Sequence, residues 1–232
     1  MKASEIDLLG ERFYLSVNSP ENKPKESRQG TNITLKYDAP YPLSFFCRGD
    51  KGTVDGYTAA LCATAFLKER IGADSTEFTF HTRSGNVKVL CTDSGMYTLI
   101  LKKCKLLYTK MAEALGCAAE YSDILIGEVI IRTVRTKDIS FFNKSAFYPF
   151  ITYGDITPSA IVAAERTGSV ISALGYTDFS ANPPTRLFFY TAAACAEGTK
   201  LGERLFTPDG RAVFSISDSS VTLSLSPPRL EI

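Results

Sequence analysis

Apolar and polar residues alternate with a period of two through much of this chain. Residues 32–37 (NITLKY), 77–81, 86–90 and 96–101 each read as a half-buried strand. Gly-bearing polar turns at 83–85 and 92–95 separate the last three. Residues 12–17 and 43–46 predict two more short strands. One stretch breaks this rhythm. In residues 52–70, GTVDGYTAALCATAFLKER, the residues Ala59, Cys62, Ala63, Phe66 and Leu67 recur at helical spacing. Thr53, Asp55 and Thr58 offer side-chain oxygens to the backbone N–H groups of a helix start, and Gly72 ends the helix. The unit is strand, polar turn, helix start, which presents N–H donors and partial positive charge to an anion.

The rest of the chain extends the pattern. Residues 106–120 have the Ala, Leu and Met content of a helix, with Gly116 late in it, and the β-branched residues at 125–135 predict a strand. An apolar strand at 147–152 and a polar turn at 153–157 lead to a second Ala-rich helix over 158–174. Pro158 suits its first position, with Asp155 or Thr157 as cap. Gly168 ends or bends that helix, at a cost of about 1 kcal/mol. The strands at 212–216 and 221–225 match those at 86–90 and 96–101. Residues 19–30 and 38–42 are polar or Pro-containing breaks. The expected fold is α+β, in two pseudo-symmetric halves, 1–120 and 121–232. Each is a mixed β-sheet wrapped around a central helix, near 57–71 and 158–174.

Bulk properties narrow the function classes. Formal net charge is +1 over 232 residues, so no long-range field draws the chain to nucleic acid or to an anionic membrane. No apolar run approaches the ~20 residues a spanning helix needs, and acids stand where a signal peptide would be apolar. A cytoplasmic protein is expected. The six cysteines, Cys47, Cys62, Cys91, Cys104, Cys117 and Cys195, form no CxxC pair and read as free thiols. His81 is the only histidine, so no metal site is expected. It sits out of phase with Phe78 and Phe80 on its strand and should face away from them. No phosphate-binding glycine motif is present.

Val54-Asp55-Gly56-Tyr57-Thr58-Ala59-Ala60-Leu61-Cys62 and His81-Thr82-Arg83-Ser84-Gly85-Asn86-Val87-Lys88-Val89 together resemble the diaminopimelate epimerase fold. That fold is shared with proline racemase-like enzymes and with the phenazine-biosynthesis isomerases. In those families a strand leads to a Cys-Gly-Asn-Gly or Cys-Gly-Thr-Gly turn, a central helix, and strands of this type. The resemblance covers about residues 43–103. It implies a cofactor-independent isomerase or epimerase that moves a proton on a small amino or carboxylic acid. The departures are specific. Asp55 stands where those epimerases carry a catalytic cysteine, and the Asn-Pro-His segment of the second half is missing. In the second half Thr157-Pro158-Ser159 matches the turn by position, and Thr167-Gly168-Ser169 is a rival that looks like the Thr-Gly-Ser turn of the phenazine isomerases.

The resemblance therefore points to Asp55 and Thr157 as catalytic candidates and to Gly56, Tyr57, Thr58 and Ser159 as substrate-binding ones. Two-base racemisation needs a second proton carrier opposite the first, and a threonine hydroxyl is a poor one. An aspartate alone can still shuttle a proton between two carbons of one substrate if burial raises its proton affinity. Helix starts at 56–58 and at 159–160 would hold the substrate carboxylate. The partner expected is a small carboxylate-bearing molecule, without nucleic acid or membrane, and a homodimer is left open. The alternative is a catalytically inactive member of the same fold, serving as a binding or subunit-interface protein. An aspartate before a glycine at a helix start is, after all, also an ordinary cap.

Overall fold

The computed structural model describes residues 4–18, 31–37, 44–49, 55–82, 85–101, 105–114, 117–126, 129–142, 147–148, 150, 156–177, 185–201, 204–217 and 220–231. The expected loops at 19–30 and 38–42, the turn residues Arg83 and Ser84, and Thr53, Cys104, Gly116 and Asp155 lie outside those residues, as do the side chains of Cys47 and Cys117. The chain is α+β, mostly mixed β-sheet with two long helices. It divides into two compact units. The first comprises residues 1–100, 185–188 and 224–232, the second residues 101–184 and 189–223.

In the first unit the strands are β1 (Ser4–Leu8), β2 (Glu11–Asn18), β3 (Thr31–Tyr37), β4 (Ser44–Gly49), β5 (Glu77–Thr82), β6 (Gly85–Cys91), β7 (Tyr97–Leu101) and β16 (Arg229–Glu231). Their order is β16-β1-β2-β3-β4-β5-β6-β7. Pairing is antiparallel except at β2–β3 and β4–β5. The expected strands at 12–17, 32–37, 43–46, 77–81, 86–90 and 96–101 all fall on these elements. Helix α1 (Gly56–Phe66) connects β4 to β5. It packs against β1, β2, β4, β5, β6 and β16, and every residue in it except Tyr57 is buried. The predicted apolar stripe is therefore one part of a helix enclosed on all sides, as a helix apolar all round must be. Thr64, fully buried, gives its hydroxyl proton to the Ala60 carbonyl at 2.8 Å, so its burial leaves no orphan. Beyond Phe66 the turns widen into a π-helical stretch, Leu67–Ile71, which Gly72 closes at φ +72°. His81 is half-exposed while Phe78 and Phe80 are buried, as the alternation requires.

In the second unit the strands are β8 (Lys105–Ala114), β9 (Cys117–Ile126), β10 (Val129–Thr136), β11 (Ala160–Thr167), β12 (Val170–Thr177), β13 (Arg204–Phe206), β14 (Ala212–Ile216) and β15 (Val221–Leu225). Their order is β15-β14-β13-β12-β11-β10-β9-β8. The parallel pairs are β10–β11 and β12–β13. Helix α2 (Arg186–Leu201), whose first turn is grouped with the first unit, connects β12 to β13. In both units the long helix thus crosses between the strands of a parallel pair.

Three expected elements take a different form in the structure. The helix expected at 106–120 is the antiparallel pair β8–β9. Its Ala, Leu and Met content favours helix only weakly, and cross-strand pairing overrides it. The helix expected at 158–174 is the hairpin β11–β12. Thr167 pairs with Val170 across a two-residue turn in which Gly168 takes φ +60°. Residues 160–164 are all buried because β11 lies inside the sheet, and such a run carries no alternation to distinguish it from a helix. Finally, Phe147, Tyr148 and Phe150 are helical rather than a strand. Phe147 and Phe150, three residues apart, are both buried, with Tyr148 exposed.

Strand β10 shows how the second unit is held on both faces. Arg135 reaches toward α2 and makes a two-pronged ion pair with Glu197. Arg132, pointing to the opposite face, is completely buried; Val134, two residues on along the same face, belongs to a cluster with Phe142, Phe147 and Phe150. Its Nε and Nη2 each donate to the equally buried Asp123 carboxylate at 2.7 Å. Nη1 donates to the Phe150 carbonyl and Nη2 to the Ile156 carbonyl, and the guanidinium lies 4.7 Å from the centre of the Tyr121 ring. Tyr108 offers its phenol oxygen to the same guanidinium, and burial, with Asp123 adding to it, pushes that phenol up to about 12. Removing only the carboxylate leaves a desolvated cation. Asp123→Asn should therefore destabilise the fold by about 3–5 kcal/mol, measured by urea unfolding. Glu77→Gln, which breaks the exposed Lys88–Glu77 pair, should cost about 1 kcal/mol or less.

Candidate active site

Asp55 is the N-cap of α1, with φ −68° and ψ 155°. Its Oδ1 accepts from the Tyr57 and Thr58 N–H groups at 3.0 and 2.9 Å. Its Oδ2 accepts from the Thr58 hydroxyl and from the Thr185 hydroxyl, both at 2.7 Å. A carboxylate has about four acceptor positions, and four donors fill them here. The two hydroxyl oxygens lie 3.1 Å apart. With one proton each, both serve Oδ2 only if neither donates to the other. Thr58 and Thr185 are buried, so this junction is sheltered from water.

Thr185 does the same work one helix on. It immediately precedes α2, and its Oγ1 accepts from the Phe188 N–H at 3.3 Å, an N-cap contact. The Arg186 N–H, at the first position of α2, donates to Glu11 Oε2 at 3.1 Å. Glu11 is half-buried at the start of β2, immediately after the β1–β2 turn. Its carboxyl is pushed above its ordinary value, chiefly by burial. The Arg186 N–H and guanidinium oppose that rise, and the Asp55 charge adds to it. Among the described residues nothing is hydrogen-bonded to Glu11 Oε1. The first unit thus gathers two carboxylates and the starts of both long helices, drawn from residues 11, 55–58 and 185–188.

The predicted site residues separate. Asp55, Gly56, Tyr57 and Thr58 sit together at the start of α1. Gly56 is packed so closely that a Cβ there would stand 2.4 Å from Thr82 Oγ1, so no larger residue fits. Thr157 and Ser159 belong to the second unit, are exposed, and lead into β11. The Ser159 N–H donates to the Ile130 carbonyl at 2.8 Å, as a strand residue does. No helix begins there, so the second anion-holding helix start expected at 159–160 does not form. The Thr167-Gly168-Ser169 turn is the β11–β12 hairpin instead. The helix start that does exist, at Thr185, carried one sequence signal, the capping threonine after Pro183-Pro184. Glu11 carried none. Cys195, in Ala192-Ala193-Ala194-Cys195, is buried within α2, and Cys62, Cys91 and Cys195 are free thiols. Among the described residues no group of three or more His, Cys, Asp or Glu could hold a metal ion, and no helix is long and apolar enough to cross a membrane.

No protein-family model and no curated protein matches the sequence. Solved structures do match its fold. A phenazine biosynthesis PhzC/PhzF-type protein from Clostridium difficile aligns with a TM-score of 0.64 and 14% identity, over 99% of this chain and 96% of that one. A PhzF-family phenazine biosynthesis protein from Enterococcus faecalis aligns at 0.62 and 14%, over 100% and 98%. A Pseudomonas aeruginosa protein described as a predicted epimerase aligns at 0.62 and 12%, over 100% and 98%. The fold is therefore the one these proteins share, which is diaminopimelate epimerase-like.

The raised Glu11 carboxyl has a signed consequence for stability. A carboxyl that binds its proton more tightly when folded contributes stability below its unfolded value, near 4.5, and loses it as pH rises through the folded value. The difference in unfolding free energy between the wild type and Glu11→Gln should therefore fall as pH rises from the unfolded value near 4.5 through the folded one, as followed by urea unfolding. A difference that rises with pH would mean that the carboxylate is the form the fold favours.

Proposed function

We propose that the chain is a cofactor-independent isomerase of the epimerase type. It acts on a small amino or carboxylic acid by acid–base proton transfer, with Glu11 as the proton carrier and Asp55 as the residue that fixes the site. The observation that carries this reading is the Glu11 carboxyl itself. One oxygen is anchored by the Arg186 N–H, the other has no hydrogen bond among the described residues, and burial raises the affinity for a proton. That is what a general acid–base group needs. Glu11 takes a proton from one substrate carbon as the C–H bond breaks, the electron pair left behind shifts along the substrate, and the proton goes to a neighbouring carbon, which a single carboxyl can do without a second carrier. Asp55 supports the reading differently from the expectation of a base, since all its acceptor positions are engaged. The descriptions of the fold neighbours, phenazine biosynthesis and epimerase, agree in kind with such chemistry. The repeated placement of helix and parallel pair favours reading the two units as pseudo-symmetric halves. A cytoplasmic location and a homodimer belong to the same proposal.

A second reading, a non-catalytic binding or subunit-interface protein of this fold, draws on one specific observation. The N–H groups at the helix starts that would receive a substrate carboxylate already serve the protein's own side chains. Tyr57 and Thr58 give theirs to Asp55, Arg186 to Glu11, and Phe188 to Thr185. Deuterium uptake from heavy water into a panel of small amino and hydroxy acids decides between the readings. The wild type should label at least one acid. Glu11→Gln should lose that labelling by a factor of about 100 or more, and Asp55→Asn, which still caps α1, should keep most of it. Labelling by Glu11→Gln at the wild-type rate would remove Glu11 from the reaction. No labelling by the wild type would leave the binding reading in place.

A further inference from the structure

Leu9 and Gly10 form the two-residue turn that joins β1 to β2, where Leu8 pairs with Glu11. Both take left-handed backbone conformations, φ +56° at Leu9 and φ +79° at Gly10. Gly10 adopts this freely, but for a branched residue such as Leu9 it is strained. Leu9 is the only non-glycine residue with positive φ among the described residues, and its side chain is buried. Strain of this kind persists only where surrounding contacts hold it, and it marks positions where a neighbour must be aimed. One distant residue, Arg186, supplies contacts of this kind. The Arg186 guanidinium donates through Nη1 to the Leu9 carbonyl at 3.4 Å, and Nη1 stands 3.6 Å from where a Cβ on Gly10 would be. The Arg186 N–H meanwhile holds Glu11 Oε2.

We propose that Arg186 is a positioning residue for Glu11: it clamps the strained Leu9–Gly10 turn with its side chain and the Glu11 carboxylate with its backbone, and so sets where Glu11 points and which charge it faces. This rests on the reading of Glu11 as the proton carrier. The charged groups acting on the Glu11 carboxyl are Arg186 from α2 and Asp55 from the start of α1. Asp7, within the same turn, is turned instead to the Gly10 N–H at 3.3 Å. A merely structural Arg186 would affect stability while leaving the titration of Glu11 in place.

The test is a pH titration of the Glu11 side-chain carboxyl by carbon-13 NMR, its signal assigned by its loss in Glu11→Gln, in wild type, Arg186→Met and Arg186→Lys. Arg186→Met should move the Glu11 midpoint upward by about half a pH unit, the effect of a nearby unit charge at a partly exposed site. Arg186→Lys keeps the charge and the backbone N–H and should restore most of that shift. The pH profile of deuterium uptake should move with the NMR midpoint. An unchanged midpoint in Arg186→Met would overturn the proposal. If that variant does not fold, a midpoint in Arg186→Lys displaced downward, or as far upward as loss of the charge would bring, overturns it equally. A shifted midpoint with no deuterium uptake in any variant, wild type included, would sustain the clamp and overturn the proton-carrier reading.

Discussion

One carboxylate organises the start of both long helices. Asp55 satisfies two orphan N–H groups of α1 directly through Oδ1. Through Oδ2 it accepts a hydrogen bond from the Thr185 hydroxyl, which leaves that oxygen's lone pairs facing the Phe188 N–H of α2. A hydroxyl polarised by a carboxylate is a better acceptor, because hydrogen bonds in a chain reinforce one another away from water. Thr58 closes the set from the first turn of α1. Residues 55, 58 and 185 are thus constrained together, and Arg186 and Glu11 follow from where Thr185 is put. Removing one member of this junction leaves its partners with unpaired polar groups, each at a desolvation cost.

The same saturation limits the chemistry. A base must have a lone pair to offer, and Asp55 has four donors upon it. Glu11, half-buried like Asp55, accepts a single hydrogen bond among the described residues, on one oxygen, next to a turn. The contrast gives Asp55 to the two helix starts and leaves Glu11 an oxygen without a hydrogen bond among the described residues, the basis of the proposal that Glu11 carries the proton.

Much of the first unit was legible in the sequence. Its strands are half-buried and alternate, and α1 announces itself with Asp55 and ends on Gly72. The second unit misled for physical reasons. Strand β11 is apolar without alternation because it lies inside the sheet, and Pro158 before it resembled a helix start. Helix α2 hid for a related reason. Leu187, Phe189 and every residue from Thr191 to Glu197 are buried, so no stripe separates a core face from a wet one. The site was half legible. Local pattern reached Asp55 through Thr58, because a cap and its first turn are neighbours in sequence. It could not reach Glu11 or Thr185, which join the site only through sheet order and the start of a helix more than a hundred residues away.

Asp55 supports the start of α2 through Thr185 as well as capping α1. A double-mutant cycle tests this directly, with Asp55→Ala, Thr185→Val and the double variant compared by urea unfolding. If the two residues act as one unit, the double variant should be less destabilised than the sum of the single ones, by about 1 kcal/mol or more. Single effects that add to within about 0.3–0.5 kcal/mol would contradict the account, leaving Asp55 as a local cap and Thr185 as a separate one.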